Sequence, residues 1–363
     1  MPGPLQGIRV LEMAGLGPIP HAGMLLADLG ADVVRVARPT GSAMAELAGD
    51  VDPVLRSRTH TRVDLKSPDG IRELGELIAR ADVLIEGFRP GVMERLGFGP
   101  DAVAELNPRL VYGRMTGWGR EGPRSAEAGH DLNYLAVTGI LHAIGHPGTP
   151  PPVPLTLLGD YAGGSLPLAL GIVSALVERA SSGRGQVVDM AMVDGIGMVA
   201  QKIWALRGVG RWSDERGANL LDGGAPFYAT YRCADGRFVA IGAIERKFFA
   251  ELVALLEIDP APLADQYDPA GWAAWRDAIG EALASRPRDE WAARAAGTDA
   301  CVTPVLTFAE ALEDAHARER GAFVGTQTPL AAPTPQFSRS TLDAPTRPDE
   351  PGISPRAVAQ RWA

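Results

Sequence analysis

The first 120 residues alternate short apolar runs with amphipathic stretches. Short runs rich in β-branched side chains that alternate with helical periodicity predict a parallel sheet with helices on both faces. In such a sheet, the loops that carry function lie past the carboxyl ends of the strands. The strand candidates are Ile8–Met13, Asp32–Ala37, Val83–Glu86 and Leu110–Met115, with helices near 21–30, 69–80 and 91–97.

The pattern changes after residue 160. A long helix is predicted from about 164 to 181, followed by a strand at 186–190, and residues 193–224 have the composition of a linker that carries one helix. A second compact unit begins at Ala225, and seven prolines between 329 and 356 favour an extended return segment. Within the second unit we expect strands at 227–233 and 238–242 and helices at 246–257, 270–285 and 288–297.

Composition excludes several classes of partner. The 363 residues carry a net charge of −9 and no block of five or more basic residues, which argues against nucleic acid. Cys233 and Cys301 provide neither a disulfide framework nor a zinc spacing, and the six histidines lack an HExxH pattern. The N-terminus does not have the order of a signal peptide. The uncharged run between Asp160 and Glu178 contains Gly, Ser and Pro, so we expect a buried helix, no membrane insertion and a cytoplasmic protein.

A glycine-rich loop after the first strand is close to the G-x-G-x-x-G fingerprint of dinucleotide sites. Its third glycine is replaced by Pro20. The second strand then carries Arg35 and Arg38, where a nicotinamide site usually has an acidic residue for the ribose. The sequence therefore favours a tight strand-to-helix connection over an NAD site.

Two segments thirty positions apart each place one titratable side chain among glycines and apolar residues. Gly129–Tyr134 contains His130, and Leu158–Gly164 contains Asp160. Such surroundings bring the backbone close to a ligand and perturb pKa values. A histidine and a carboxylate on opposite sides of a carbon centre can take a proton from one face and return it to the other. A polar loop histidine and a helix N-cap carboxylate are the alternatives that the residues alone leave open.

Basic side chains occupy strand ends and loops in the first half of the chain. Arg38, Arg89 and Arg95, together with Lys66, can form the cationic surround of a phosphorylated nucleotide. Solvated surface charge is an equally simple explanation for each of them.

Several contiguous segments resemble the family III CoA-transferase superfamily, and the similarity runs from residue 4 to about 340. The segments are Gly7–Glu12, Leu26–Arg35, Asp82–Gly91, Arg114–Gly119 and Gly183–Asp189. Three more resemble the branch of that superfamily that racemises α-methylacyl-CoA thioesters. They are Gly129–Tyr134, Gly223–Tyr228 and Gly242–Glu245.

The resemblance implies an α/β fold with a Rossmann-like large domain, a smaller α+β domain and an interlocked homodimer whose linkers pass through the partner. The large domain would cover 1–190 and be completed by 325–363. The linker would be 191–224, the small domain 225–300 and the return linker 301–324. The CoA-binding side would include Arg38, Leu65, Lys66, Arg89 and Arg95.

The resemblance also implies the chemistry, a 1,1-proton transfer through an enolate. His130 would act on the S substrate and Asp160 on the R substrate, while the Asp160 backbone N–H and the helix dipole stabilise the enolate. Glu245 matches a glutamate that hydrogen-bonds the histidine from across the dimer. Asp131 either positions this loop or only stabilises a turn.

Three methionines and three departures from the family pattern complete the implied site. Met190, Met192 and Met198 match a methionine-lined acyl surface, although core packing explains methionines equally well. Thr156 replaces a frequent Asn, and Arg246 and Lys247 replace Pro-Gln after the glutamate, which affects the local geometry expected near Asp160 and Glu245.

The expected partner is an acyl-CoA substrate, and no resident cofactor is expected: no metal, no NAD and no PLP. The alternative is a true family III CoA-transferase, in which Asp160 alone acts as nucleophile and forms an acyl anhydride. That reaction has no use for a histidine opposite the carboxylate. His130 therefore favours the racemase, an isomerase of lipid metabolism.

Overall fold

The computed structural model describes residues 3–39, 52–325, 329–347 and 352–363. The strands of its first sheet are β1 (Arg9–Met13), β2 (Asp32–Ala37), β3 (Thr59–Arg62), β4 (Val83–Glu86), β5 (Val111–Thr116) and β6 (Val187–Ala191). All neighbours pair in parallel, in the order β3-β2-β1-β4-β5-β6. The chain runs outward from β1 in both directions, so a crevice opens at the carboxyl ends of β1 and β4.

Burial on both faces explains why the central strands are continuous apolar runs. Val10 and Leu11 of β1 and Val83, Leu84 and Ile85 of β4 have no accessible surface. The sequence therefore predicted these strands well. The bounds of β2 and β4 are as predicted, and those of β1, β5 and β6 differ by one residue.

Strand β3 was not predicted. Its sequence, Thr-His-Thr-Arg, lacks the apolar signal of a strand, yet it pairs in parallel with β2 at the edge of the sheet. Thr59, His60 and Thr61 are buried all the same. A polar strand of this kind is specified by its neighbours and not by its own pattern.

Helices cover the sheet and build the rest of the molecule. They are α1 (Pro18–Asp28), α2 (Pro68–Ile78), α3 (Val92–Arg95), α4 (Pro100–Leu106), α5 (Asp131–Val137), α6 (Ile140–Ala143), α7 (Leu166–Ser182), α8 (Met192–Val199), α9 (Gln201–Gly208), α10 (Arg246–Leu255), α11 (Trp272–Leu283), α12 (Arg288–Ala295), α13 (Phe308–Glu313), α14 (Ala315–Glu319) and α15 (Pro355–Arg361). The described residues also form 3₁₀ turns at Pro53–Leu55 and Pro269–Gly271.

The long helix differs from its prediction at its start and on one face. A π-helix, Leu157–Ser165, precedes α7 directly. The combined run Leu157–Ser182 is, by length and composition alone, long and apolar enough to cross a membrane, and 39% of its apolar 18-residue window is buried. The expected buried helix is therefore buried on one face only, the face that packs on β5 and β6. The opposite face exposes Leu166, Leu170 and Val177 by 50%, 66% and 68%.

The chain divides into two compact units. The first comprises Met1–Thr138, Pro154–Gln201 and Arg320–Ala363, and the second comprises Gly139–Val153 and Lys202–Glu319. These boundaries differ from the predicted ones, because both predicted linkers are divided between the two units and a further segment changes its unit. Residues 139–153 belong to the second unit, where a ring nitrogen of His142 lies 3.0 Å from the Asp214 carbonyl oxygen. Residues 191–201 belong to the first unit, because α8 packs on the π-helix.

The second unit contains a three-stranded antiparallel sheet. Its strands are β7 (Tyr228–Arg232), β8 (Phe238–Gly242) and β9 (Val302–Pro304), with β8 in the centre. Strand β9 lies in the predicted return linker, so that part of the linker prediction was wrong; the segment is too short to be recognised apart from its partner strand. Phe227, Leu252 and Ile279 form the centre of this core.

The C-terminal segment returns to the first unit. A short hairpin of β10 (Phe323–Val324) and β11 (Leu330–Ala331) precedes it, and α15 packs on α2. Trp362, just after α15, is 1% exposed, and its indole N–H donates to Asp32 Oδ2 at 2.7 Å. The last residues of the chain therefore complete the core of the first unit.

Replacing Trp362 with Ala tests this role. The change removes a buried ring and a hydrogen bond, so the free energy of unfolding should fall by about 3–5 kcal/mol, as measured by urea denaturation. Leu106→Ala, at an exposed position of α4, is the control and should change stability by less than about 0.5 kcal/mol. Equal denaturation midpoints for the two variants would contradict a core role for Trp362.

Candidate active site

A cavity of about 440 Å³ lies at the carboxyl edge of the first sheet. The loops after β1, β4 and β5 form most of its wall, as expected for the crevice of a parallel sheet. Every residue that lines it belongs to the first unit. The apolar lining consists of Leu16, Pro18, Ile19, Phe88, Pro90, Met115, Trp118, Ala128 and Met192.

His130 and Asp160 both line this cavity. His130 is the N-cap of α5 and has extended backbone, and its N–H donates to Asn133 Oδ1 at 3.0 Å. The imidazole is exposed at the cavity wall. The structure thus brings together the two titratable groups that the sequence placed thirty positions apart.

Asp160 lies in the first part of the π-helix and is half-buried. Burial and, to a smaller extent, the negative charge of Asp131 raise the pKa of Asp160 to about 6, while His130 acts in the opposite direction. Asp160 is not the N-cap residue of a helix, which was the alternative explanation for this carboxylate. Thr156 is the N-cap of the π-helix, and Ser165 is the N-cap of α7. π-helical turns are rare and are frequent at functional sites.

Asp131 connects the two segments. Its carboxylate is 5% exposed, and Oδ1 accepts the backbone N–H groups of Gly159 and Asp160, both at 2.7 Å. These groups lie in the first turn of a helix, where no intrahelical acceptor is available. The Asp160 N–H was expected to face an enolate, and in the structure it donates to Asp131.

Gly17 brings helix α1 against the Asp160 carboxylate. A Cβ at Gly17 would lie 2.4 Å from Asp160 Oδ2, and its φ of +60° also disfavours an L side chain. The glycine loop after β1 is therefore more than the tight connection that the sequence favoured. It also forms part of the cavity wall.

Trp118, Tyr134 and Met115 are among the cavity residues that the sequence analysis did not single out. The rings of Trp118 and Tyr134 meet edge to face at 4.8 Å, and the Tyr134 hydroxyl donates to the Gly129 carbonyl. A Cβ on Gly117 or on Gly129 would collide with the Tyr134 ring. The paired glycines of Gly117-Trp118-Gly119 were the available signal.

Glu86, outside the cavity lining, is a further residue that the sequence analysis did not single out. It ends β4, is 2% exposed, and accepts the Phe88 backbone N–H at 2.7 Å. Burial raises the pKa of Glu86 to about 7. This contact stabilises the start of the loop that carries Arg89.

The predicted cationic residues follow different strands of the same sheet. Arg89, after β4, lines the cavity, whereas Arg38 and Lys66 are exposed beyond β2 and β3. Arg95 is exposed on α3 beside Gly91. Leu65 is half-buried and packs against the core. Of these five residues, only Arg89 lines the cavity with His130 and Asp160.

Of the three predicted acyl-surface methionines, one lines the cavity and two do not. Met192, at the start of α8, is buried and lines the cavity. Met190 is half-buried on β6, and Met198 is 55% exposed on α8; neither lines the cavity.

Glu245 belongs to the second unit. It is the exposed N-cap residue of α10, and the neighbouring Arg246 makes a bidentate ion pair with Asp265 at 2.6 and 3.0 Å. The contact of Glu245 with a histidine across a dimer stays a prediction.

Comparison with known proteins gives a consistent set of relatives. The model of CoA-transferase family III matches residues 5–354. The chain is 46% identical to "Alpha-methylacyl-CoA racemase" of Mus musculus over 98% of its length and 91% of the relative's. It is 45% identical to the Homo sapiens protein of that name, over 91% and 85%. A solved CaiB/BaiF family protein from Brucella suis superposes with a TM-score of 0.83 at 26% identity, covering both chains completely.

The proximity of the Asp131 carboxylate to Asp160 predicts that removing the Asp131 charge changes the pKa of Asp160. Asp131→Asn keeps an oxygen acceptor for the two N–H groups and removes the like charge, so the pKa of Asp160 should fall below about 6. A ¹³C NMR titration of the Asp160 carboxyl measures it. Asp101→Asn, on α4, is the control and should leave the midpoint unchanged. A midpoint that stays the same or rises in Asp131→Asn would contradict the electrostatic role of Asp131.

Proposed function

The chain belongs to CoA-transferase family III, and from this membership we propose that it is an α-methylacyl-CoA racemase that interconverts (2R)- and (2S)-2-methylacyl-CoA thioesters. The observation that carries the proposal is the presence of His130 and Asp160 in one cavity. The racemase names of its relatives support the same reaction.

Racemisation of an α-methyl thioester needs two bases because the α-hydrogen is weakly acidic and must leave one face and return to the other. In one direction, neutral His130 takes the α-proton of the S substrate, and the C–H electron pair becomes the enolate. Protonated Asp160 then forms the new C–H bond on the opposite face. The reverse reaction starts with the Asp160 carboxylate and the R substrate and ends with proton donation by His130.

The environment of Asp160 suits this double role. A carboxyl with an ordinary pKa is almost never protonated at neutral pH and makes a weak base. Burial and the charge of Asp131 raise the pKa of Asp160 to about 6, so both forms are accessible near neutral pH. The like charge of Asp131, held at the backbone of Asp160, therefore contributes to the proposed chemistry.

The cavity lining combines a cation with apolar side chains. Arg89, in the loop after β4, lines the cavity, and we propose that Arg38, Leu65, Lys66 and Arg95 extend the CoA-binding side along the same edge of the sheet. Met115 and Met192, which also line the cavity, suit a branched acyl group. The thioester would then reach His130 and Asp160, with no resident cofactor.

A homodimer is part of the proposal. The outer face of α7 exposes three large apolar side chains, and exposed apolar patches are typical of interaction surfaces. We assign this face to a second copy of the chain, in a cytoplasmic enzyme. Glu245, exposed on the second unit, would then be available to a partner's site.

A CoA-transferase is not favoured. A transferase needs Asp160 only as a nucleophile that forms an anhydride and releases the CoA thiolate. The histidine that lines the cavity beside Asp160 has no part in that sequence of steps. A proton-transfer reaction uses both residues.

One incubation in D₂O tests the function. A single enantiomer of a 2-methylacyl-CoA should gain α-deuterium and lose optical activity without any acceptor acid. Transfer of CoA to an added free acid, with the stereocentre unchanged, would show a transferase and overturn the proposal.

His130→Ala separates the two faces. Removing one base should lower racemisation about a hundredfold or more. Deuterium exchange from the S enantiomer should be lost, while the R enantiomer still exchanges through Asp160. NMR of the recovered substrate measures both. Similar residual exchange from the two enantiomers would contradict the assignment of one base to each face.

Leu170→Glu tests the apolar face of α7. A carboxylate in a dimer interface is desolvated, so the variant should shift from dimer to monomer in analytical ultracentrifugation. Glu178→Gln, on the same helix, serves as the control and should stay dimeric. A wild-type monomer that sediments with phosphatidylcholine vesicles, and a Leu170→Glu variant that does not, would instead show a lipid contact.

A further inference from the structure

His21 of α1 makes two contacts with the π-helix that carries Asp160. Its ring stacks on the ring of Tyr161, with centroids 4.1 Å apart and an interplanar angle of 17°. Its Nδ1 lies 2.6 Å from the hydroxyl oxygen of Ser165, which is fully buried. Neither contact has a part in the proton transfer proposed above.

The contacts of His21 reach two positions of the π-helix that lie four residues apart. The Ser165 hydroxyl, at the end of that helix, also lies 3.2 Å from the Tyr161 carbonyl oxygen, within hydrogen-bond distance. The three side chains of Tyr161, His21 and Ser165, here called the clamp, therefore hold the middle and the end of the π-helix. Asp160 precedes Tyr161 directly.

The protonation of His21 suits this arrangement. Burial, together with the positive charges of Arg58 and Arg56, lowers the pKa of His21 to about 4. The ring is therefore neutral at physiological pH, and a neutral imidazole can share a hydrogen bond with the Ser165 hydroxyl.

The π-helix needs such support. Its hydrogen-bonding pattern is rarer than that of an α-helix, and glycine occupies positions 159, 163 and 164, where it adds backbone freedom and no side-chain packing. Helix α1 also places Gly17 against the Asp160 carboxylate. Helix α1, with its N-cap residue Gly17, thus contacts both the Asp160 carboxylate and the π-helix that carries it.

We propose that His21 is a positioning residue for Asp160: through the clamp it holds the π-helix in its wide form and fixes the carboxylate relative to the α-carbon of the substrate. This inference rests on the proposed function, because Asp160 is the base that His21 positions. It predicts that loss of His21 affects proton transfer on one face only.

The test measures α-deuterium exchange from each enantiomer of a 2-methylacyl-CoA in D₂O. In His21→Ala, exchange from the R enantiomer, which uses Asp160, should fall about tenfold or more because small displacements of a catalytic group are costly. Exchange from the S enantiomer, which uses His130, should stay within about twofold. The KM for both should be unchanged, since His21 does not line the cavity.

Three further variants separate positioning from general destabilisation. His21→Asn retains a hydrogen-bonding group near the Nδ1 position and should restore most of the lost R exchange. Ser165→Ala removes the hydrogen bond and leaves the ring in place, so it should reproduce the loss even if His21→Ala fails to fold. His146→Ala, an exposed histidine of the second unit, is the control. Urea denaturation of all four measures their stability.

The outcomes are distinct. Equal loss of exchange from both enantiomers in Ser165→Ala and in a folded His21→Ala would overturn the clamp, and so would unchanged R exchange in both. Absence of exchange from either enantiomer in the wild-type protein would instead refute the proposed function itself.

Discussion

The hydrogen bonds from Gly159 and Asp160 to the Asp131 carboxylate are the interaction on which the site depends. Asp131 follows His130 directly in the chain, so the same bonds that satisfy the first turn of the π-helix also set the distance between the two titratable residues. Helix α5 and the π-helix are not strands of a sheet, so no strand pairing aligns one with the other. The buried Asp131 carboxylate aligns them instead, through two charge-assisted hydrogen bonds.

This arrangement has an electrostatic consequence. Burial raises the pKa of Asp160, and placing Asp131 against its backbone brings a second carboxylate close, which also raises it. The contact with Asp131 that positions Asp160 therefore also makes the Asp160 carboxylate a stronger base. Glycine is required at two points around it, because a Cβ at Gly17 would meet Asp160 Oδ2 and one at Gly159 would meet Asp131 Oδ1.

The sheet and the cavity meet at the switch point of the strand order. The chain leaves β1 in one direction and β4 in the other, so the loops after these strands diverge and leave room for a ligand. Gly17 and Arg89 come from those loops, whereas His130 and Asp160 come from the long connection between β5 and β6. Helix α1 then contacts the π-helix directly, which connects the first strand-to-helix turn to the reactive carboxylate.

The sequence alone determined the parallel sheet, the second unit, the family resemblance and the pair His130 and Asp160, because these rest on local patterns such as apolar runs and glycine-flanked motifs. Only the tertiary structure decided the rest. Strand β3 is polar and forms through its pairing with β2. The backbone N–H of Asp160 donates to the carboxylate of Asp131, 29 residues away in the chain. Likewise, His21 contacts Ser165 across 144 residues. Contacts of this range leave no periodicity in a sequence, since they depend on how separately formed elements pack.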